Sequence, residues 1–340
     1  MEEKLFFNAV TTAYKEGRRL VAPLLGFPGL NLTGSTIKLA QQNYGEHFKV
    51  VRMINETFKP DAVFPLMDLS VEVNALGRYT VFPKHDSATV PKDEFNLDDF
   101  AQIKGINISY DTRLIGYVET LKRMHKELSP SVFRGAYVTG PYTLASLLMG
   151  AEEAAESTLL NRERLHMICS LVTGKVVDYI EMLVESGAQL ICILEPSAVM
   201  LGPDQFEEFS AHYVRNIIEA FKENYISIIY HICGNTMHLV EKMSKTGVDA
   251  LSLDSQDAGV DLKRVVERIP ENVIIIGNIN PIGTILKGNP SDVKKEVYQL
   301  LKTMELYPNF VLSTGCDLPQ MTPLENIHAF MEAGRSYRFN

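Results

Sequence analysis

Residues 189–235 read QLICILEPSAVMLGPDQFEEFSAHYVRNIIEAFKENYISIIYHICGN. Two short β-branched runs, 189–194 and 226–232, flank an amphipathic stretch of helix length over 204–223, which makes one βαβ unit of a parallel sheet. The same alternation continues outward in both directions. Further strand-like runs stand at 20–25 (LVAPLL), 62–67 (AVFPLM), 135–139 (GAYVT), 249–253 (DALSL), 272–276 (NVIII) and 309–313 (NFVLS). Between them lie helix candidates at 41–58, 112–128, 152–186, 235–246, 260–268, 291–306 and 322–334. Eight apolar strands separated by helices predict a (β/α)8 TIM barrel rather than an open doubly wound sheet. The barrel is expected to form a single domain over 1–340, with an N-terminal helical extension and long βα loops at 26–36 and 77–111. No domain boundary or internal repeat is visible, and no G-x-G-x-x-G follows the first strand.

Composition narrows the function classes. The chain has 340 residues, 46% of them hydrophobic and 22% charged, which suits a soluble globular protein with a large core. Lysine and arginine total 33 against 42 acidic residues, a net charge of −9, and no basic stripe offers a nucleic-acid footprint. The N-terminus MEEKLFFNAV lacks the features of a signal peptide, and no apolar run has the length of a membrane span, so a cytosolic (cytoplasmic) location is expected. Four cysteines are too few for a disulfide scaffold. Cys169 and Cys192 sit in apolar stretches and read as small core hydrophobes, which leaves Cys233 and Cys316 for chemistry.

In a TIM barrel the active site lies at the C-terminal ends of the strands, and here those ends are polar. They carry Asp68 and Glu72, then Gly140-Pro141-Tyr142-Thr143, Glu195-Pro196, His231 and Cys233, Asp254, Gly277-Asn278 with Asn280, and Cys316-Asp317. His231 and Cys233 are two residues apart on a strand and share a face, so both can reach one point. With Cys316 they make three N/S ligands and leave a fourth position vacant, the pattern of a catalytic zinc; thiolates disfavour Mg²⁺ and Ca²⁺. The competing reading is a buried histidine beside two inert thiols. Asp254 and Glu195 end neighbouring strands and are expected either to reach the metal or to orient His231 through its second ring nitrogen. Asp68, Tyr142 and Asn278 are candidate substrate contacts, although Asp68 and Glu72 also suit loop capping. Thr322-Pro323 with Glu325 reads as a helix start near Cys316, and His166, His238 and His328 as packing or surface residues.

The motifs GPYTLA at 140–145, LEPSA at 194–198, HICGN at 231–235 and GCDLPQMTPLEN at 315–326 together resemble the uroporphyrinogen decarboxylase superfamily over the whole chain. Within it, H-x-C followed by a distant Gly-Cys and T-P-L-E-N is similar to the methylcobamide:coenzyme M methyltransferase branch. That resemblance implies zinc held by His231, Cys233 and Cys316. It also implies a thiolate that takes a methyl group from methylcobalamin, or a related corrinoid, carried by a partner corrinoid protein. Other barrels of this kind run in the opposite direction, demethylating methoxy compounds, methylamines or betaines. Asp254 and Asp317 depart from the coenzyme M pattern, and no Arg or Lys at a strand end is assigned to a sulfonate. Decarboxylation is the weaker alternative, because the stretch PLLGFPGLN at 23–31 lacks the arginine-rich loop of the decarboxylases and their reaction needs no metal.

Overall fold

The computed structural model describes residues 4–83, 87–91 and 100–339. Parts of the expected loop at 77–111, namely 84–86 and 92–99, therefore lie outside the described residues. Seven parallel strands form one sheet in sequential order: β1 (Ala62–Val63), β2 (Phe133–Thr139), β3 (Leu190–Leu194), β4 (Ser227–Ile232), β5 (Ala250–Leu253), β6 (Ile274–Ile279) and β7 (Phe310–Thr314). Each is joined to the next through helical segments, so the sheet curls into a TIM-barrel-like α/β fold.

The expected first strand is present only as a bridge. Val21 pairs in parallel with Leu312 of β7. On its other side its carbonyl accepts from Asp61 N at 3.0 Å, next to β1, so the segment closes the ring. Pro23 explains why it goes no further, since it has no N–H for the ladder, and Leu24 N turns to the Thr314 hydroxyl at 3.1 Å. Pro65 shortens β1 in the same way, against an expected run of 62–67. The expected helix at 152–186 divides at Asn161 into Ala151–Leu160 and Arg162–Glu185.

Alternate residues of the strands belong to two cores. Leu190, Cys192, Leu194, Ile229, Ala250, Ile274, Ile276 and Val311 fill the barrel interior. Ile191, Ile193, Ile228, Tyr230, Leu251, Leu253, Ile275 and Leu312 pack outward against the helices. The N-terminal helix Leu5–Lys15 presents Phe6, Val10 and Ala13 to the interior core, and Lys4 pairs with Asp249 at the foot of β5 at 2.8 Å. The extension therefore plugs the N-terminal end of the barrel and leaves the C-terminal end as the mouth. Among the described residues no helix is long and apolar enough to cross a membrane.

Candidate metal centre

Ile228, Tyr230 and Ile232 of β4 face the helix layer, so Ile229 and His231 face the interior. Cys233 keeps that side, with its Sγ 3.1 Å from Nε2 of His231. β7 brings the third donor. After Thr314 the chain turns at Gly315, where a Cβ would come within 2.7 Å of Ser255 N, so glycine lets this turn lie against the one after β5. Sγ of Cys316 then lies 3.3 Å from Sγ of Cys233 and 3.7 Å from Nε2 of His231. A tetrahedral zinc with bonds of about 2.0–2.3 Å spaces its N and S donors about 3.6–3.8 Å apart. The three residues fit such an ion after opening by no more than about half an ångström. His231 is buried, while both cysteines are half-buried, so the set is reached from the mouth.

The Cys316 thiol is pushed well up by its contact with Cys233 and then by burial, with His231 pulling the other way. Burial pulls the His231 pKa down, but Cys316, Asp254 and Ser252 outweigh it and leave it raised. A divalent ion held by these groups would offset the penalty on the thiolates.

The remaining sequence candidates take different places. Asp254 is outside the donor cluster; its Oδ2 accepts from Gly234 N at 2.7 Å and its Oδ1 from Ser255 N at 2.6 Å. The second ring nitrogen of His231 meets neither expected carboxylate and lies instead 3.0 Å from Oγ of Ser252. Glu195 has the parity of Ile191 and Ile193, so it turns outward and accepts from Thr143 N at 2.6 Å, at the start of the helix Pro141–Met149. A Cβ on Gly140 would sit 1.5 Å from Oε2 of Glu195, which accounts for the glycine before that helix. Burial pushes Glu195 up to about 8. Tyr142 is buried in the helix layer, its phenol pushed up to about 12 by burial and by nearby Cys169 and Glu195. Asn278 Nδ2 donates to the carbonyls of Asp254 at 2.9 Å and Val260 at 3.0 Å. Asp68 is engaged by Arg113, by the Tyr117 hydroxyl at 2.9 Å and by both Ser70 N and its hydroxyl.

Two neighbours of the cluster carry no signal in the sequence. Ser252 stood inside an apolar strand with nothing to mark it as functional. Tyr137 of β2 is half-buried and stacks on Phe64 at 4.9 Å; burial first, then Asp317, Cys192 and Cys316, raise its phenol well above the usual value. Asp317 itself is pushed up to about 8 by burial, partly offset by the backbone amides of Gly26, Leu318 and Met67 that face it.

Glu72 gives a pH-dependent expectation away from the metal ligands. It accepts from Thr139 N at 2.6 Å and from the Thr139 hydroxyl at 2.9 Å, and burial pushes it up to about 7. Because folding raises this pKa, the native state binds the proton more tightly. The resulting stability is full below the unfolded value and is lost as pH rises through about 7. Glu72→Gln keeps a neutral group facing a hydroxyl that can donate or accept. Chemical denaturation from about pH 5 to about pH 8 should therefore show a smaller decline for the variant than for the wild type. Parallel declines would assign the pH dependence elsewhere.

A family model described as uroporphyrinogen decarboxylase (URO-D) matches residues 32–337. The methylcobamide:CoM methyltransferase MtbA of Methanosarcina mazei is 29% identical over 260 residues, covering 75% of this chain and 73% of the relative. A uroporphyrinogen decarboxylase of Prochlorococcus marinus (strain MIT 9312) is 25% identical over 290 residues, covering 83% and 81%. Among solved structures, a methyltransferase from Methanosarcina mazei matches with a TM-score of 0.84 at 23% identity, over 97% of this chain and 98% of that one. A B12-independent methionine synthase from Shewanella sp. W3-18-1 matches with a TM-score of 0.58 at 13% identity, over 93% and 92%. The two structural likenesses concern the fold.

Proposed function

This chain belongs to the uroporphyrinogen decarboxylase family, and from that premise we propose that it is a cytosolic, zinc-dependent methyltransferase. Its reaction moves a methyl group between a methylated corrinoid on a partner protein and a small thiol such as coenzyme M. The observation that carries this reading is the convergence of His231, Cys233 and Cys316 on one point at the barrel mouth. Decarboxylation would leave all three donors without a task. The similarity to methylcobamide:CoM methyltransferases supplies the corrinoid and the thiol as substrate classes.

His231, Cys233 and Cys316 would hold a zinc ion, which would supply the means to lower the pKa of a bound thiol and keep it a nucleophilic thiolate near neutral pH. The chain's residues prepare that chemistry. His231 is held with Nε2 toward the cysteines, and the half-buried Cys233 and Cys316 leave the remaining side of the cluster facing the mouth. Phe64 and Tyr137 supply an aromatic wall inside the barrel, where Tyr137 lies within electrostatic reach of Cys316. The thiolate sulfur takes the methyl group, and the electron pair of the cobalt–carbon bond stays on cobalt, giving a thioether and Co(I).

The test is a methylcobalamin assay against coenzyme M, other thiols and tetrahydrofolate, with metal content measured on the same sample. The expected result is about one zinc per chain and thiol-dependent loss of methylcobalamin. Porphyrinogen decarboxylation that survives Cys316→Ala would sink the proposal.

A further inference from the structure

β5 runs beside β4 in a register that sets Ser252 opposite His231, so the next inward pair along the two strands is Cys233 and Asp254. The contacts follow that register. Ser252 Oγ meets Nδ1 of His231 at 3.0 Å, and Asp254 Oδ2 accepts from Gly234 N, the residue after Cys233, at 2.7 Å. Gly234 has φ +87, a left-handed turn that needs fixing if Cys233 is to keep its place. Asp254 is held in turn: Ser255 N donates to its Oδ1 at 2.6 Å, and Asn278 of β6 donates to its carbonyl at 2.9 Å.

We infer that Ser252 and Asp254 are positioning residues for the metal centre, an S-x-D pair on β5 that presets the H-x-C pair on β4 before an ion arrives. The inference rests on the metal-site reading above and adds to it which residues make the site a preformed one. With Nδ1 engaged by Ser252, the imidazole turns Nε2 toward the cysteines. With the Gly234 amide anchored on Asp254, the thiol of Cys233 stays within 3.3 Å of Cys316. Asp254 acts through the backbone and not as a ligand, since its carboxylate is outside the donor cluster. Groups of this kind commonly change metal affinity about 10–100-fold.

The experiment measures zinc affinity by chelator competition on the full chain and on its Ser252→Ala, Ser252→Thr and Asp254→Ala variants. Thermal unfolding of each metal-free form and the thiolate-to-metal charge-transfer band of each Co²⁺-loaded form complete the set. Ser252→Ala and Asp254→Ala should bind zinc about 10–100-fold more weakly and show an altered Co²⁺ band. Ser252→Thr, which keeps the hydroxyl, should recover the wild-type band and most of the affinity. Affinities that stay within about threefold of wild type in both alanine variants overturn the inference, being well short of the expected 10–100-fold. So does a loss of affinity matched by collapse of the metal-free fold, because that would be a packing defect. A wild-type chain that takes up no zinc overturns the methyltransferase reading as well, whereas zinc binding indifferent to Ser252 and Asp254 overturns this inference alone.

Discussion

On the proposed reading, a Cys316→Ala protein should purify folded, with little or no zinc and with methyl transfer lost, because one of the three donors that would hold the ion is gone. Cys316 follows β7 at the barrel mouth and is half-buried, so removing its sulfur opens no cavity in either core. Cys192 provides the contrast. It lies on β3 in the interior core, buried, where Cys192→Ala should cost about 1 kcal/mol of stability as a small cavity while zinc content holds. Metal analysis together with urea unfolding of the metal-free proteins separates the two thiols: one variant loses metal and keeps the metal-free stability, the other does the reverse. If both variants retained zinc, the cluster would not be the metal site. The pH dependence of zinc uptake checks the same point from another direction. Cys316 holds its proton well above the usual thiol range, first because of Cys233 and then because of burial, so loading must expel protons and tighten as pH rises.

The barrel was legible because its strands are β-branched runs spaced by helix-length stretches, and two prolines account for what was misjudged. Pro23 and Pro65 sit inside runs that read as full strands, and each ends the backbone ladder where its missing N–H would be needed. The His231, Cys233 and Cys316 cluster was legible for a different reason. H-x-C names two donors whose shared face follows from strand geometry alone, and Cys316 at another strand end supplies the third, with the fourth position left open.

The partners of those donors were hidden by the continuous apolarity of the strands. LICIL on β3 is apolar at every position because the strand is buried on both sides, so nothing in the run shows which alternate set faces inward. Glu195 could therefore be placed at the mouth, although its parity sends it outward to the start of the helix Pro141–Met149. Ser252 was invisible for the complementary reason. A serine within ALSL carries no ligand signal until the register with β4 sets it opposite His231. Asp68 likewise gained meaning only from Arg113, a partner 45 residues away.

That pair gives the largest expected loss of stability. Arg113→Ala should destabilise the fold by about 3–5 kcal/mol, because it strands a buried carboxylate without its counter-charge. The Asp68 side chain is fully buried and that of Arg113 is 8% exposed, so water has little access to screen or replace the interaction. Arg113 also donates to the Ser70 carbonyl at 3.3 Å and lies under the Phe82 ring at 4.8 Å, which ties the loop after β1 to the start of the helix Thr112–Glu127. Tyr117 and Ser70 would still donate to Asp68 in the variant, but hydrogen bonds from neutral groups compensate a buried charge only partly. Adding Asp68→Asn to Arg113→Ala removes the stranded charge and leaves an acceptor for Ser70. The double variant should therefore be more stable than Arg113→Ala alone, a sign reversal that simple loss of contacts would not produce. Urea unfolding of the four proteins in this cycle decides it: strictly additive losses would mean that the ion pair contributes no more than its packing.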